Sequence, residues 1–137
     1  MSVVLVDTGP LVALLDADDQ DHDRCAELLG GWNGVRLVPA PVLVELDHFV
    51  PTSVFAAFLA DVRRGAFVVE ALESGDYERV TELLVAYADL RLGFVDAAVL
   101  AVVERLGERR VATLDHRHFR VVRLGHGDRL ELVPARV

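Results

Sequence analysis

Short runs of β-branched and aliphatic residues alternate along this chain with longer stretches in which apolar residues recur every three or four positions. That alternation of periods predicts strands separated by amphipathic helices. The first run, Val3-Val4-Leu5-Val6, has no polar position and predicts a strand buried on both faces. It ends on Asp7, and Gly9-Pro10 punctuates the chain behind it. Residues 11–15 then read as a short helix, and 16–21 as an acidic connector suited to helix capping. Over 22–29 a second helix places Cys25, Leu28 and Leu29 on one face, and Gly30-Gly31 stops it.

The second half of the pattern continues in kind. Residues 35–38 form a second expected strand, and 42–50 a helix with Pro41 near its first position. Pro51-Thr52-Ser53 should end that helix and cap the next, whose stripe is Val54, Phe55, Phe58, Leu59 and Val62. A third strand is expected over 66–70. Ser74 or Asp76 is then expected to cap a long helix with Tyr77, Val80, Leu83, Leu84 and Tyr87 on its apolar face. Residues 94–106 are apolar almost all round, the signature of a buried helix. Residues 111–114 read as a fourth strand ending on Asp115, 121–124 as a fifth, and 130–133 as a short sixth or an irregular tail. Strands alternating with helices imply a parallel sheet with right-handed crossovers. The expected fold is α/β: a three-layer α/β/α sandwich around a mainly parallel sheet of four to five strands. At 137 residues, one domain over 1–137 is expected.

Composition narrows the chemistry. No apolar run reaches the length of a membrane helix, because Asp7, Asp16 and Glu45 interrupt the early ones. The opening residues read as a strand and not as a secretion signal, and the single Cys25 fits a reducing, cytoplasmic setting. All fourteen basic residues are arginine. A chain without lysine cannot build a P-loop, and it lacks the lysine that receiver and haloacid-dehalogenase-like domains use. The net charge of −8 argues, taken alone, against nucleic acid, although an acidic metal site accounts for part of it. Arg63, Arg64, Arg109, Arg110, Arg117, Arg120 and Arg123 remain available for local phosphate contacts.

Four carboxylates stand in similar places. Asp7 closes the first strand; Asp96 lies in the first turn of the buried helix; Asp115 closes the fourth strand. Glu45 has Val42 and Phe49 as its helical neighbours, on an apolar face, whereas Asp47 points elsewhere. Strand C-termini and the N-termini of helices share one edge of such a sheet, so these acids are expected to converge. Taken singly, each has a plainer reading: Asp7 as a cap, Asp96 as a favourable charge at a helix start, Asp115 as a turn former with His118, Glu45 as the partner of a buried arginine. Taken together, four like charges at one edge call for a hard divalent cation such as Mg²⁺ or Mn²⁺. Such a site performs metal-assisted phosphoryl chemistry. Thr8 and Thr113 are candidates to orient the carboxylates or a water by hydrogen bonding.

With these residues placed, the chain resembles the PIN-domain family, in particular VapC-type toxins of bacterial toxin–antitoxin pairs. The matching stretches are Leu5-Val6-Asp7-Thr8-Gly9-Pro10-Leu11 and Pro39-Ala40-Pro41-Val42-Leu43-Val44-Glu45-Leu46. Two more run from Asp89 to Ala98 and from Ala112 to Phe119, so together they span most of the chain. The resemblance carries the family's metal-binding acids onto Asp7, Glu45, Asp96 and Asp115, and its Ser/Thr position onto Thr113. It implies a Mg²⁺- or Mn²⁺-dependent endoribonuclease acting on structured RNA, a cognate VapB-type antitoxin, and a homodimer.

Three alternatives are weighed against it. Asp7-Thr8-Gly9 matches the aspartic-protease triplet, but that fold is all-β and helical periods dominate here. His116 and His118, with His22, His48 or His126, match no common zinc spacing and read as surface residues. A non-catalytic PIN-fold module binding RNA or protein is the remaining rival, and the retention of all four acids argues against it.

Overall fold

The computed structural model describes residues 2–120, 122, 124, 125, 127 and 129–135. In chain order the elements are β1 (Ser2–Val6), α1 (Thr8–Leu15), α2 (His22–Gly30), β2 (Gly34–Pro39), α3 (Ala40–Phe49), α4 (Thr52–Arg63) and β3 (Val68–Glu70). Then follow α5 (Ser74–Ala86), a 3₁₀ turn (Ala88–Leu90), α6 (Phe94–Arg105), β4 (Arg110–Ala112), α7 (His116–Arg120) and β5 (Glu131–Val133). The five strands form one sheet in the order β3-β2-β1-β4-β5, with every pair parallel. This is the expected α/β architecture.

The sequence explains why β1 sits at the centre. Val4, Leu5 and Val6 are fully buried, so consecutive residues, which point to opposite faces, both meet core. β2 lies against it so closely that a Cβ on Gly34 would fall 2.0 Å from the Ser2 carbonyl oxygen, and Gly34 also has φ +151°. Only glycine satisfies both conditions. Among the helices, α1 packs on α2 and α3, and α3 on α4, while α5 packs on α6, which also meets α3 and β2. α6 buries every residue from Ala97 to Val103.

The chain builds outward from β1 twice, first through β2 to β3 and then through β4 to β5. The connections therefore diverge between β1 and β4. In open α/β sheets the crevice for ligands lies at that divergence, beyond the strands' carboxyl ends.

Several expected details are corrected. Gly9-Pro10 does not separate β1 from α1: both lie in the first turn of α1, where the N–H that proline lacks has no helical partner anyway. Thr52 lies inside α4 instead of capping it; the residue before that helix is Pro51. The α5 cap is Glu73, whose N–H is bonded by Asp76 at 2.8 Å. β4 stops at Ala112, short of Asp115, because Thr113 and Leu114 turn away into α7. The strand expected over 121–124 rests on Val121 and Arg123, outside the described residues; Val122 and Leu124 are buried but not in a strand. The fifth strand is instead supplied by Glu131–Val133.

Candidate active site

Asp7 stands at the divergence as the N-cap of α1, and its backbone N–H still bonds the Ala112 carbonyl at 2.9 Å. It is 7% exposed. A carboxylate so deep requires donors, and two are supplied: the Thr8 N–H and the Thr113 hydroxyl, at 3.0 Å from Oδ2. They do not offset the burial. Loss of water around Asp7, together with the negative charges of Asp96 and Glu45, pushes its pKa from 3.8 up to about 6.

Two threonines organise the neighbouring acids. Besides its N–H on Asp7, Thr8 donates its hydroxyl to Glu45 Oε1 in a short bond. Thr113, wholly buried, donates its hydroxyl to Asp7 and accepts the Asp115 N–H at 3.1 Å. Thr8 thus couples Asp7 to Glu45, and Thr113 couples Asp7 to Asp115. The second coupling is an ST-type turn, the local geometry that ends β4 early and aims Asp115.

Asp96 enters from the opposite side, in the first turn of α6, where it accepts the Gly93 N–H. Its pKa is raised by burial first, with Asp115 and Glu45 adding in the same direction and His118 acting against them. The His118 Nδ1 lies 2.9 Å from Asp115 Oδ2 and 3.6 Å from Asp96 Oδ2, between the two acids. The four carboxylates grade from Asp7 at the floor to Asp115, 46% exposed, at the rim.

Shared threonines thus link Asp7 to Glu45 and to Asp115, while Asp96 is coupled to Asp7, Glu45 and Asp115 by charge alone. Three expectations need amendment. Glu45 does not lie within an apolar face, since Phe49 is 66% exposed; it sits at the edge of the stripe formed by Val42 and Leu46. His116 and His118 are not surface residues: His116 is buried with Nε2 3.2 Å from the Thr113 carbonyl, and His118 enters the site. The signal for His118 was its position three residues after Asp115, one helical turn on. His126 lies outside the described residues.

A hard cation suits this donor set in kind, because the oxygens are carboxylates and, among the described residues, no arginine pairs with any of the four. Acids kept for structure alone are normally paired, as Asp76 is with Arg105 at 3.0 Å in the same molecule. As they stand, no group of three or more His, Cys, Asp or Glu side chains among the described residues is placed to hold a metal ion. Glu45 accepts a hydrogen bond from Thr8 and Asp7 one from Thr113, while the His118 Nδ1, near both outer acids, has no hydrogen-bond partner among the described residues. Beside Glu45 runs an apolar groove of about 510 Å³, walled by Pro41, Val44, Leu72, Tyr77 and Phe94.

The family model for the PIN domain matches residues 4–124. The chain is 30% identical over 135 residues to ribonuclease VapC26 of Mycobacterium tuberculosis, covering 96% of this chain and all of that protein. Its fold matches Mycobacterium tuberculosis VapC20, a toxin that cleaves the sarcin–ricin loop, with a TM-score of 0.71 and 26% identity over 79% of this chain and 86% of the other. It also matches VapBC2 of Rickettsia felis, solved with promoter DNA, with a TM-score of 0.67 over 96% and 98% of the two chains; at 14% identity that likeness concerns the fold alone.

Proposed function

The chain belongs to the PIN domain family, and on that premise we propose that it is a VapC-type toxin: an endoribonuclease that hydrolyses RNA phosphodiester bonds with Mg²⁺ or Mn²⁺ held by Asp7, Glu45, Asp96 and Asp115. The observation that carries this reading is the set of four coupled carboxylates with no arginine partner among the described residues, placed at the divergence of β1 and β4. The naming of VapC26 as a ribonuclease supports the reaction class.

When bound, the cation supplies polarisation of the scissile phosphate and activation of a water. The protein's part is orientation. Thr8 holds Asp7 and Glu45 at a fixed separation, and Thr113 does the same for Asp7 and Asp115. Burial makes Asp7, at the floor, costly to ionise, so a cation there has a charge penalty to relieve. Asp115, at the rim, is the acid nearest to solvent and to an entering strand.

A VapB-type antitoxin is the partner expected with such a toxin, and a homodimer the expected assembly. The test of activity is incubation of a labelled structured RNA with and without Mg²⁺. Wild type should cut only with metal, and Asp7→Asn should be inactive under both conditions. Equal cutting by the two proteins would remove the nuclease assignment from this site, and no cutting by wild type with metal would leave the non-catalytic PIN module as the better description.

A further inference from the structure

Among the arginines, most are already committed. Arg24, Arg64 and Arg79 pair with acids three residues away, and Arg79 and Arg105 also tie α5 to α6 and to the chain before α5. Arg109 and Arg110 both take Glu131, so two of the residues first considered for phosphate contact are spent on β5. Arg120 and Arg129 are different. Each is exposed, neither has an acid partner among the described residues, and both face one cavity of about 380 Å³ between α7 and β5. Glu131, two residues after Arg129, is held by Arg109 and Arg110.

The same cavity has a buried wall that belongs to the acid site. His116 lines it, follows Asp115 directly, and stands 3.2 Å from the carbonyl of Thr113, whose hydroxyl bonds Asp7. Leu130 and Leu132 give it apolar sides, which lower the local dielectric and strengthen attraction between the guanidiniums and an anion. Two planar, always-charged donors sharing a cavity suit a phosphate better than any neutral ligand. A chain of net charge −8 with four acids in its crevice repels RNA at long range, so binding needs local positive contacts beside the cut.

We propose that the cavity between α7 and β5 is a phosphate subsite, in which Arg120 and Arg129 hold the backbone of the RNA strand whose scissile bond lies at the carboxylates. This rests on the nuclease reading, and its test is arranged to fail separately from it. A fluorescein-labelled RNA hairpin is titrated with the full chain in low-salt buffer containing EDTA, so that binding is read without cleavage. The Arg120→Ala/Arg129→Ala variant should bind roughly tenfold more weakly or worse, and its plot of log affinity against log salt should be shallower by about one to two. With Mg²⁺ the same variant should raise KM with kcat little changed, while its Tm and its response to Mn²⁺ match wild type. The control, Arg63→Ala/Arg64→Ala at the end of α4, should bind as wild type does. Hairpin affinity and salt slope unchanged in the α7–β5 variant would overturn the proposal, as would an equal loss in the control, which signals bulk charge alone. So would loss of antitoxin binding with RNA binding intact, which assigns the cavity to a protein partner. Inactive wild-type enzyme, by contrast, sinks the nuclease reading while the EDTA titration still reports on the subsite.

Discussion

Two threonines and one aspartate concentrate the chemistry at the residue scale. Asp7 has a folded-state pKa of about 6 against an ordinary 3.8, so the proton is held more tightly by the folded state than by the unfolded one. Its contribution to stability is therefore greatest below about pH 4, declines as pH rises through 6, and stays low above that. The shift corresponds to about 3 kcal/mol. In EDTA, urea denaturation of Asp7→Asn and wild type should give similar stabilities near pH 4 and a variant more stable by about 2–3 kcal/mol at pH 8. A variant less stable than wild type at pH 8 would mean that Asp7 is kept for the fold. Thr113 offers the complementary test. Thr113→Val keeps the shape but withdraws the hydroxyl from the Asp7 carboxylate and the acceptor from the Asp115 N–H. Metal affinity should fall by roughly 10–100-fold, and Thr113→Ser should restore most of it.

The elements deliver these residues, and here the α5–α6 pair matters most because α6 presents Asp96. Arg105 of α6 reaches Asp76, Glu70 and Glu73, and the Asp76 side chain is only 4% exposed. Arg105→Met should cost about 2–4 kcal/mol in urea unfolding, because it leaves a buried carboxylate with little but the Glu73 N–H. The double variant Arg105→Met/Asp76→Asn should recover much of that. Legibility in the sequence divides along the same lines. β1, α6 and the acids at their ends were readable, because long apolar runs have one physical interpretation and a lone charge at their edge stands out. The early end of β4 was not, because it depends on a side-chain-to-backbone bond made by Thr113, which a two-residue period cannot register. Nor were the exposed Phe49 and Tyr77, which fit helical stripes but face outward beside the site. His118 was read as surface for a related reason. Its ring lies 3.6 Å from Asp96, which is on a distant element and meets α7 only in the fold.

For the whole molecule, the sheet order accounts for the location of the site. β1 and β4 are adjacent but their connections diverge, so Asp7, Thr113 and Asp115 line one crevice while α3 and α6 bring Glu45 and Asp96 to its sides. Four acids in one crevice should make folding and metal binding reinforce each other. Mn²⁺ should raise the Tm of wild type and raise that of Glu45→Gln or Asp96→Asn much less. Among the described residues no helix is long and apolar enough to cross a membrane. Expression of the chain should slow growth, and co-expression of its cognate VapB-type antitoxin should restore it. Growth that stays slow counts against the toxin assignment and not against the nuclease one.

A cation shared by Asp7, Glu45, Asp96 and Asp115 can be observed in solution. Mn²⁺ titration followed by electron paramagnetic resonance measures this directly, on wild type and on the single variants Asp7→Asn, Glu45→Gln, Asp96→Asn and Asp115→Asn. Wild type should deplete the free-ion signal saturably, and each variant should bind more weakly, Asp7→Asn most of all. Binding that is absent in wild type, or unchanged in all four variants, would contradict the account.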